Sequence, residues 1–571
     1  MTAKFISIFL VLLCVTNAQI FAYRDLANED NQGRQMYWIE RVLKLDDDQI
    51  DVANAALILS REWGTARRTR TYYLNAIDKM AEDILDRLAE QKLRPNYSAI
   101  PVINKYLFEE LGFETVKTAD NPEDLFLHSV MDNRKGYCLS LSILYLGIAE
   151  RVGVPVCGVV VPGHFFVRYD DGKKRFNIET TLKGSTPPDE YYIKAFKPPA
   201  GDTIYMKNLT KKQTLGCFFN NLGNCYMAVN ELALAQEQLE RAVTINPTLT
   251  EAYANLGNVY LWQGLYEKAV EYYKIRLEML PDDFATHNNL GNAYKNLNMY
   301  EAAIAEYATA IKIKPDYAEA YYNLGILCLG TKQYEKSLVF LKKAVEFMPD
   351  NAILYRALAE ASGNLKRYSD AAVFYRKAVQ LEPDDANTYS ALAGCLVKEG
   401  LVNAAIDEYN NALSIDANLA GAWLGLADCY TRLELTDDAI YAYEQLLRID
   451  PDSVEGRFNL GNALMKNKMF EQAAEQYIAG IDASPDTLGL YLNLGVAYMN
   501  LNDYTAAAAQ FKYAAEHDEK DALAQNNLAQ AYYSMGEYEN ARRHALIAKN
   551  LGFAIDERLL VAPEQTASTQ N

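Results

Sequence analysis

The sequence predicts an α+β domain followed by an all-α array of about ten repeated helical hairpins, and three observations support this division. Prolines recur every 34 residues in the second part of the chain, and small residues recur in phase with them. Residues 154–179 instead carry the β-branched and alternating patterns that are typical of strands. A chain of 571 residues also exceeds what a single hydrophobic core usually supports, so at least two architectures are expected.

The prolines define the repeated part of the chain. Proline cannot continue a helix and biases the preceding residue away from helical angles, so each one is expected to close a hairpin. Two columns of small residues, which begin at Gly223 and Ala235, predict the close approach of the two helices in each hairpin. This pattern resembles the tetratricopeptide-repeat family, whose period is 34 residues, and predicts ten repeats over residues 214–553. Seven prolines and two other residues occupy the nine grid points: Pro247, Pro281, Pro315, Pro349, Pro383, Ala417, Pro451, Pro485 and Glu519.

The N-terminus has the pattern of a secretory signal peptide. An apolar run over residues 5–15 is followed by Thr16-Asn17-Ala18, whose small residues suit signal-peptidase cleavage. Cleavage is expected after Ala18, with Ala22 as the alternative. The run is shorter than the roughly 20 residues of a membrane-spanning helix, so no stable membrane span is expected after cleavage. The sequence therefore predicts an exported protein, periplasmic or secreted, with residues 1–18 as its signal.

Composition excludes several classes of partner. The net charge of -19 and the pI near 4.9 argue against nucleic acid and anionic lipid, which both require a positive surface. Only His128 and His164 lie between the signal and the repeats, and no spaced acid cluster accompanies them, so no metal site is expected. No glycine-rich phosphate loop follows a strand, and the predicted chemistry requires no cofactor.

Cys138 stands in an unusual context among the cysteines. It follows Gly136 and precedes an apolar stretch that runs to Arg151 and Gly153, which predicts a glycine turn and a helix beginning at the cysteine. A thiol at a helix N-terminus lies at the positive end of the helix dipole, which favours the thiolate. The alternative is an inert cysteine at a buried helix start.

The segment after this helix predicts strands that carry a base and an acid. Residues 154–161 form a β-branched run, and His164 and Glu179 lie on the two strands that follow. Asp171-Gly172 fits a two-residue hairpin turn in which Asp170 faces Lys173. The strand register that follows from this turn places His164 directly opposite Glu179. The same register sets Arg168 opposite Arg175, an unfavourable pair of like charges. A thiol, an imidazole and a carboxylate in this order are typical of nucleophilic catalysis.

Residues 126–181 also carry a family resemblance. Arg134-Lys135-Gly136-Tyr137-Cys138, Pro162-Gly163-His164-Phe165 and Asn177-Ile178-Glu179-Thr180-Thr181 resemble the transglutaminase-like superfamily, in particular its SirB-type branch. The resemblance extends over about residues 39–182. It implies a papain-like α+β fold over residues 24–182, with Cys138 as nucleophile, His164 as base and Glu179 as orienting acid. The usual third residue of that family is aspartate, so Glu179 is a departure.

Asn133 is a candidate for a further role at the site. Its amide precedes Cys138 by a few residues and could donate a hydrogen bond to an oxyanion. The alternative is an asparagine that only forms the turn.

A column of asparagines recurs in the repeats, two residues before the small-residue column. An amide both donates and accepts hydrogen bonds, so it can pair with peptide backbone of any sequence. A similar column grips extended peptide in the repeats of O-linked N-acetylglucosamine transferase, which this pattern resembles. The alternative is that these amides cap or pair between neighbouring hairpins. The predicted peptide-binding groove comprises Asn221, Asn255, Asn289, Asn323, Asn459, Asn493 and Asn527.

Two functional hypotheses follow. In the first, an exported cysteine enzyme hydrolyses or transfers an acyl group on a peptide or protein amide, while the repeats bind the substrate or a partner. In the second, the protein is a non-catalytic envelope scaffold whose N-terminal domain is structural. Proline-rich residues 183–213 are expected to be a linker, and residues 554–571 a cap and a disordered tail.

Overall fold

A computed structural model of the protein describes residues 39–62, 66–116, 122–199 and 203–561. The predicted signal peptide, residues 1–18, and the polar tail from Pro563 lie outside the described residues. The chain divides into two compact units after Pro315, so the first three repeats belong to the same unit as the predicted catalytic domain.

The N-terminal part of the first unit begins with helices that surround a buried helix. Its elements are α1 (Val52–Glu62), α2 (Arg70–Glu90), α3 (Ile100–Asn104), β1 (Glu114–Thr115), α4 (Leu127–Asn133), β2 (Lys135–Gly136), α5 (Cys138–Val152), β3 (Val156–Val161), β4 (His164–Asp170), β5 (Arg175–Ile178) and α6 (Asp189–Phe196). Helix α5 is apolar on nearly all sides and is buried over most of its length, as expected of a core helix. Strands β1 and β2 form a short parallel pair.

Strands β3, β4 and β5 form an antiparallel sheet in that order. The predicted hairpin register between β4 and β5 is wrong by two residues, because Asp170 pairs with Arg175 instead of with Lys173. The Asp171 carboxylate accepts from the backbone N–H groups of Lys173 and Lys174, and the Asp171 N–H donates to the Lys174 carbonyl, which places the turn one residue later than predicted, at Gly172 and Lys173. A shift of two residues keeps every side chain on its predicted face of the sheet.

The corrected register also removes the predicted clash of arginines. Arg168 lies opposite Asn177 and is fully buried, and Arg175 lies opposite Asp170. The Arg168 guanidinium donates to the Asn177 side chain at 2.7 Å and to Asp189 at 2.8 Å, so its buried charge is paired.

Residues 183–213, predicted as a linker, contain helix α6 and a segment that adds to the sheet. Leu209 donates its backbone N–H to Gly158, and Met206 donates to Val160, so this segment runs along β3. Helix α6 begins directly after Pro187-Pro188, with Asp189 and Glu190 in its first turn. These residues therefore belong to the domain that holds the sheet.

The described residues of the repeats contain twenty helices in ten hairpins. In the first unit they are α7 (Lys211–Ala228), α8 (Leu232–Ile245), α9 (Thr250–Trp262), α10 (Tyr266–Met279), α11 (Phe284–Asn296) and α12 (Tyr300–Ile313). In the second unit they are α13 (Ala318–Gly330), α14 (Tyr334–Phe347), α15 (Ala352–Asn364), α16 (Tyr368–Leu381), α17 (Ala386–Lys398), α18 (Val402–Ile415), α19 (Ala420–Arg432), α20 (Thr436–Ile449), α21 (Val454–Lys466), α22 (Phe470–Ala483), α23 (Leu488–Asn500), α24 (Tyr504–His517), α25 (Ala522–Ser534) and α26 (Tyr538–Asn550).

The small-residue columns lie where the helices of each hairpin meet. A Cβ added at Gly257 would come within 2.5 Å of the Tyr273 ring, and one at Gly461 within 2.4 Å of the Tyr477 ring. The second column, from Ala235 to Ala541, is buried throughout. Each grid residue lies two positions after the last residue of a second helix, as for Met279 and Pro281.

Candidate active site

Cys138 is the first residue of helix α5 and is half-buried. The chain reaches it through a tight turn in which Arg134 adopts a left-handed conformation, with φ of 58°. A Cβ at Gly136 would lie 2.7 Å from both the Ser140 hydroxyl and the Val130 side chain, which explains the glycine at that position. The thiol therefore sits where the unpaired N–H groups of a helix N-terminus favour negative charge.

His164 is the first residue of β4 and links the thiol to the acid. Its Nε2 lies 2.8 Å from Glu179 Oε2, and its ring lines the same cleft as the Cys138 thiol, with Nδ1 not engaged by the acid. Burial alone would lower the pKa of His164, but its interactions with the neighbouring Cys138 and Glu179 raise it to about 10. The geometry therefore favours an imidazolium between two acidic groups.

Glu179 directly follows β5 and is 1% exposed. Its Oε1 accepts from the Thr181 backbone N–H at 3.0 Å and hydroxyl at 2.6 Å, and its Oε2 accepts from Tyr192 at 3.0 Å as well as from His164. Burial raises the pKa of the Glu179 carboxyl, but His164 and Thr181 outweigh it, and the net shift is downward. The carboxylate is thus held charged and fixed in orientation.

The observed register explains why a glutamate fits the third position. Extended along β5, the pairing sets Glu179 opposite Phe166, so His164 is its diagonal neighbour on the same face. Diagonal neighbours are farther apart than directly opposed residues, and the longer arm of glutamate spans the difference. The catalytic roles of Cys138, His164 and Glu179 stay a prediction, but the structure brings the three side chains together.

Helix α6 covers the imidazole, and the sequence interpretation missed it. The Phe196 ring stacks on His164 with centroids 4.8 Å apart and planes 3° apart, and Tyr192 donates to the acid. The sequence did contain evidence for this helix. Asp189 and Glu190 directly follow two prolines, and acidic residues in the first turn are typical of a helix start. Buried Arg168 anchors the start of this helix through Asp189.

Asn133 does not lie at the candidate site. It is the last residue of α4, its side chain is exposed, and its Nδ2 donates to the Ser129 hydroxyl one turn earlier at 3.0 Å. It does not line the cleft that contains Cys138. This arrangement agrees with the alternative of a local structural role.

Cys138 and His164 open into a cleft of about 890 Å³. One wall comes from the domain that holds the sheet and is largely apolar, with Leu139, Val160 and Phe165 among its residues. The opposite wall comes from helices of the first two repeats and includes Asn221 and Asn255. The volume falls in the range of small-molecule and peptide sites, so the thiol is accessible to a ligand.

The asparagine column is half-buried and in several repeats pairs with the preceding hairpin. Asn255 donates to Asn220 at 2.9 Å. Asn289 donates to Asn258 at 3.0 Å, and in the second unit Asn493 donates to Asn462 at 2.7 Å. The predicted alternative role, pairing between neighbouring hairpins, is therefore present for these members. Peptide binding by the column stays a prediction.

The remaining cysteines differ from Cys138. All seven cysteines of the described residues are free thiols, and burial raises the pKa of Cys157 to about 11 and of Cys225 to about 12. Within the described ranges no group of three or more histidine, cysteine or acidic side chains is arranged to hold a metal ion. None of the helices in those ranges is both long and apolar enough to cross a bilayer.

Comparison with protein families accounts for both parts of the chain. Residues 71–212 match the model of the transglutaminase-like superfamily. Tetratricopeptide-repeat models match residues 218–249, 252–284, 297–330, 318–351, 435–468, 458–522 and 492–550, and a model of subunit 3 of the anaphase-promoting complex matches residues 364–446. The chain carries a transglutaminase-like domain followed by tetratricopeptide repeats. Both predicted parts are thereby confirmed.

Similar proteins come from bacteria and animals. A UPF0162 protein of Xylella fastidiosa strain 9a5c is 26% identical over 227 residues, which are 36% of this chain and 76% of the relative. The F-box only protein 21 of Mus musculus is 32% identical over 98 residues, or 17% of this chain and 14% of the relative.

Solved structures of repeat proteins are also similar to this transglutaminase-like repeat protein. YrrB, described as a tetratricopeptide-repeat protein with an unusual peptide-binding site, is 22% identical with a TM-score of 0.31, covering 33% of this chain and 96% of its own. The C-terminal part of a repeat protein of Cytophaga hutchinsonii is 16% identical with a TM-score of 0.38, covering 42% of this chain and 98% of its own.

Proposed function

We propose that the protein is a cysteine-dependent enzyme that acts on an amide of a peptide or protein, with the repeats binding the substrate or a partner. The observation that carries this proposal is the position of His164, which lines one cleft with Cys138 and is hydrogen-bonded through Nε2 to the buried Glu179. An inert cysteine at a helix start needs no such arrangement.

The proposed reaction has two steps. The Cys138 thiolate attacks the amide carbonyl carbon, a C–S bond forms, and the C–N bond breaks as His164 gives its proton to the leaving amine. Water or a second amine then attacks the thioester, His164 takes the proton of that nucleophile, and the C–S bond breaks to restore the thiolate. Water gives hydrolysis and an amine gives acyl transfer, and we favour hydrolysis for an exported protein.

Glu179 acts in this scheme through the imidazole. Its carboxylate fixes the ring through Nε2, which leaves Nδ1 to exchange protons, and it stabilises the positive charge that His164 carries before the first step and regains in the second. Tyr192 and Phe196 hold the acid and the ring from the side of α6.

The test is the rate of Cys138 alkylation by iodoacetamide against pH, followed by mass spectrometry on the folded protein, for wild type and His164→Ala. The expected result is a rate plateau that begins well below the ordinary thiol pKa of about 8.5 and is lost in the variant. An ordinary pH profile that does not depend on His164 would overturn the enzyme proposal. It would favour the non-catalytic scaffold, a function that the length of the repeat array also supports.

We also propose that the protein is exported, on the evidence of the apolar run and small residues in residues 1–18. N-terminal sequencing of protein recovered from its native host is expected to begin at Gln19, or at Tyr23 if cleavage follows Ala22. Recovery of the protein with residues 1–18 intact would contradict this proposal.

A further inference from the structure

The cleft around Cys138 has a second wall that does not come from the transglutaminase-like domain. Helix α7 of the first repeat contributes Asn220, Asn221 and Asn224, and helix α9 of the second repeat contributes Glu251 and Asn255. A polar wall built from repeats thus faces a largely apolar wall built from the domain that carries the thiol.

The amides of this wall retain capacity for further hydrogen bonds. Asn224 is exposed, and its side chain has no hydrogen-bond partner among the described residues. Asn255 uses its Nδ2 on Asn220, which leaves its Oδ1 as an acceptor within the described part of the chain. Since an amide can donate and accept at once, this wall matches the alternating N–H and C=O groups of a peptide backbone.

Arg276 adds an unsatisfied donor to the same wall. Its Nε donates to Asp283 at 2.6 Å and to Thr286 at 3.0 Å, but its buried Nη1 has no partner among the described residues. Arg276 lines the cleft together with the acidic Glu251, so the wall carries both signs of charge. A ligand with neutral carbonyl groups suits this surface better than a strongly charged one.

The repeat wall is fixed relative to the thiol by a shared core. Buried residues from Ile39 to Ala252 form one hydrophobic cluster, in which Phe126 and Phe218 pack edge-to-face with ring centroids 6.2 Å apart. Lys211, the first residue of α7, donates through Nζ to the backbone carbonyl of Ile50 at 2.7 Å. The hydroxyls of Tyr205 and Thr250 are hydrogen-bonded at 3.0 Å and link the segment before the repeats to α9.

We propose that the first two repeats are the substrate-binding wall of the catalytic cleft and hold the backbone of an extended polypeptide against Cys138. This inference rests on the proposed function and makes it more specific, because it assigns Asn224 and Asn255 to recognition at the catalytic thiol. Backbone recognition positions the reacting carbonyl, which converts binding into a faster reaction of the bound chain.

The test compares electrophiles that share a reactive group and differ only in the attached chain. Chloroacetone and acetyl-tetra-alanyl chloromethyl ketone are reacted with the full-length protein, and the second-order rate constant at Cys138 is measured by mass spectrometry. A tetra-alanine peptide with the chloromethyl ketone analogue of glutamine probes attack on a side-chain amide. We expect at least one peptidyl probe to react more than about ten-fold faster than chloroacetone in the wild type.

Three variants locate the origin of that enhancement. Asn224→Ala is expected to reduce the rate enhancement of the peptidyl probe about three-fold, because one hydrogen bond to the probe is lost. Ala228→Trp, at the exposed end of α7 where it lines the cleft, is expected to remove most of it by filling the space beside Asn224. The control Asn296→Ala removes an exposed asparagine of α11 that does not line the cleft, and should leave the enhancement unchanged.

The outcomes separate this inference from the proposed function. Slow chloroacetone labelling that does not depend on His164 would overturn the enzyme proposal itself. Fast, His164-dependent labelling with no gain from either peptide, or with a gain that Ala228→Trp leaves intact, would overturn only the assignment of the repeat wall.

Discussion

The transglutaminase-like domain and the repeats are fixed by contacts of very different kinds. In the repeats the decisive contacts are local and recur, so that Gly257 packs against Tyr273 and Gly461 against Tyr477, each pair sixteen residues apart. At the thiol the decisive contacts occur once, and they join Cys138, His164 and Glu179 from three separate elements. Repeated packing contacts stabilise the repeats, whereas the proposed chemistry depends on one group of three side chains. Substitutions should therefore separate stability from activity.

The largest expected effect is that of Cys138→Ala on the chemistry. Without the nucleophile, the rate of amide hydrolysis or acyl transfer should fall by at least about 10³-fold, while the melting temperature stays close to that of the wild type. The matched control is Cys157→Ala, since Cys157 is a half-buried thiol of β3 whose pKa is raised by burial. If Cys157→Ala also removed the activity, the assignment of the nucleophile would be contradicted.

His128, which is buried, and His164, which is half-buried, predict opposite effects of pH on stability. Burial lowers the pKa of His128 to about 4, so the unfolded chain takes up this proton first, and stability should fall as the pH drops from about 6.5 towards 4. The pKa of His164 is raised instead, so the stability from its charge is complete below about 6.5 and is lost as the pH rises towards 10.

Urea unfolding at pH 5, 7 and 9 measures both effects. His128→Gln should reduce the loss of stability between pH 7 and pH 5, which we expect to be on the order of 2 kcal/mol. His164→Gln should reduce the loss between pH 7 and pH 9. Equal pH profiles for wild type and both variants would show that the two histidines do not differ in this way.

The packing of the repeats predicts a cost for Gly257→Leu. The new side chain would enter the space of the Tyr273 ring, so the free energy of unfolding should fall by about 1–3 kcal/mol, measured by chemical denaturation. The control is Gly421→Leu, because a Cβ at this exposed helical position meets nothing within 4 Å. An unchanged stability for Gly257→Leu would count against the assigned phase of the repeats.

The smallest expected effect is that of Tyr192→Phe. This variant removes one of the hydrogen bonds to Glu179 but keeps the ring packed on Phe166, so the reaction rate should fall by roughly 2- to 10-fold with little change in stability. Tyr191→Phe, an exposed neighbour on the same helix, is the control. A rate loss equal to that of Cys138→Ala would mean that Tyr192 touches the reacting groups directly.

The sequence was sufficient for the repeats because their information is periodic. Prolines, glycines and alanines each recur at positions that a single hairpin explains, and the structure ends its helices two residues before every grid point. Evidence that is repeated ten times overcomes the weakness of any one local signal.

The candidate site was only partly predictable. The order of Cys138, His164 and Glu179 along the chain indicated a thiol, a base and an orienting acid, and an even shift in the hairpin left His164 and Glu179 on the same face of the sheet. The loop geometry depended on hydrogen bonds that the Asp171 carboxylate accepts from the Lys173 and Lys174 backbone, which a turn motif does not reveal. Helix α6 was missed because its prolines suggested a linker, and its contact with His164 spans 32 residues of sequence.

The hydrophobic cluster that runs from Ile39 to Ala252 decides how this chain can be dissected. A fragment that stops at residue 182 loses Tyr192 and Phe196, and one that stops at residue 213 uncovers the face of Phe126 that rests on Phe218. A fragment that keeps this cluster whole should therefore extend through Trp262, the end of α9. The boundary between the transglutaminase-like domain and the repeats thus falls inside one hydrophobic cluster, so the first two repeats cannot be removed without exposing apolar surface of the domain.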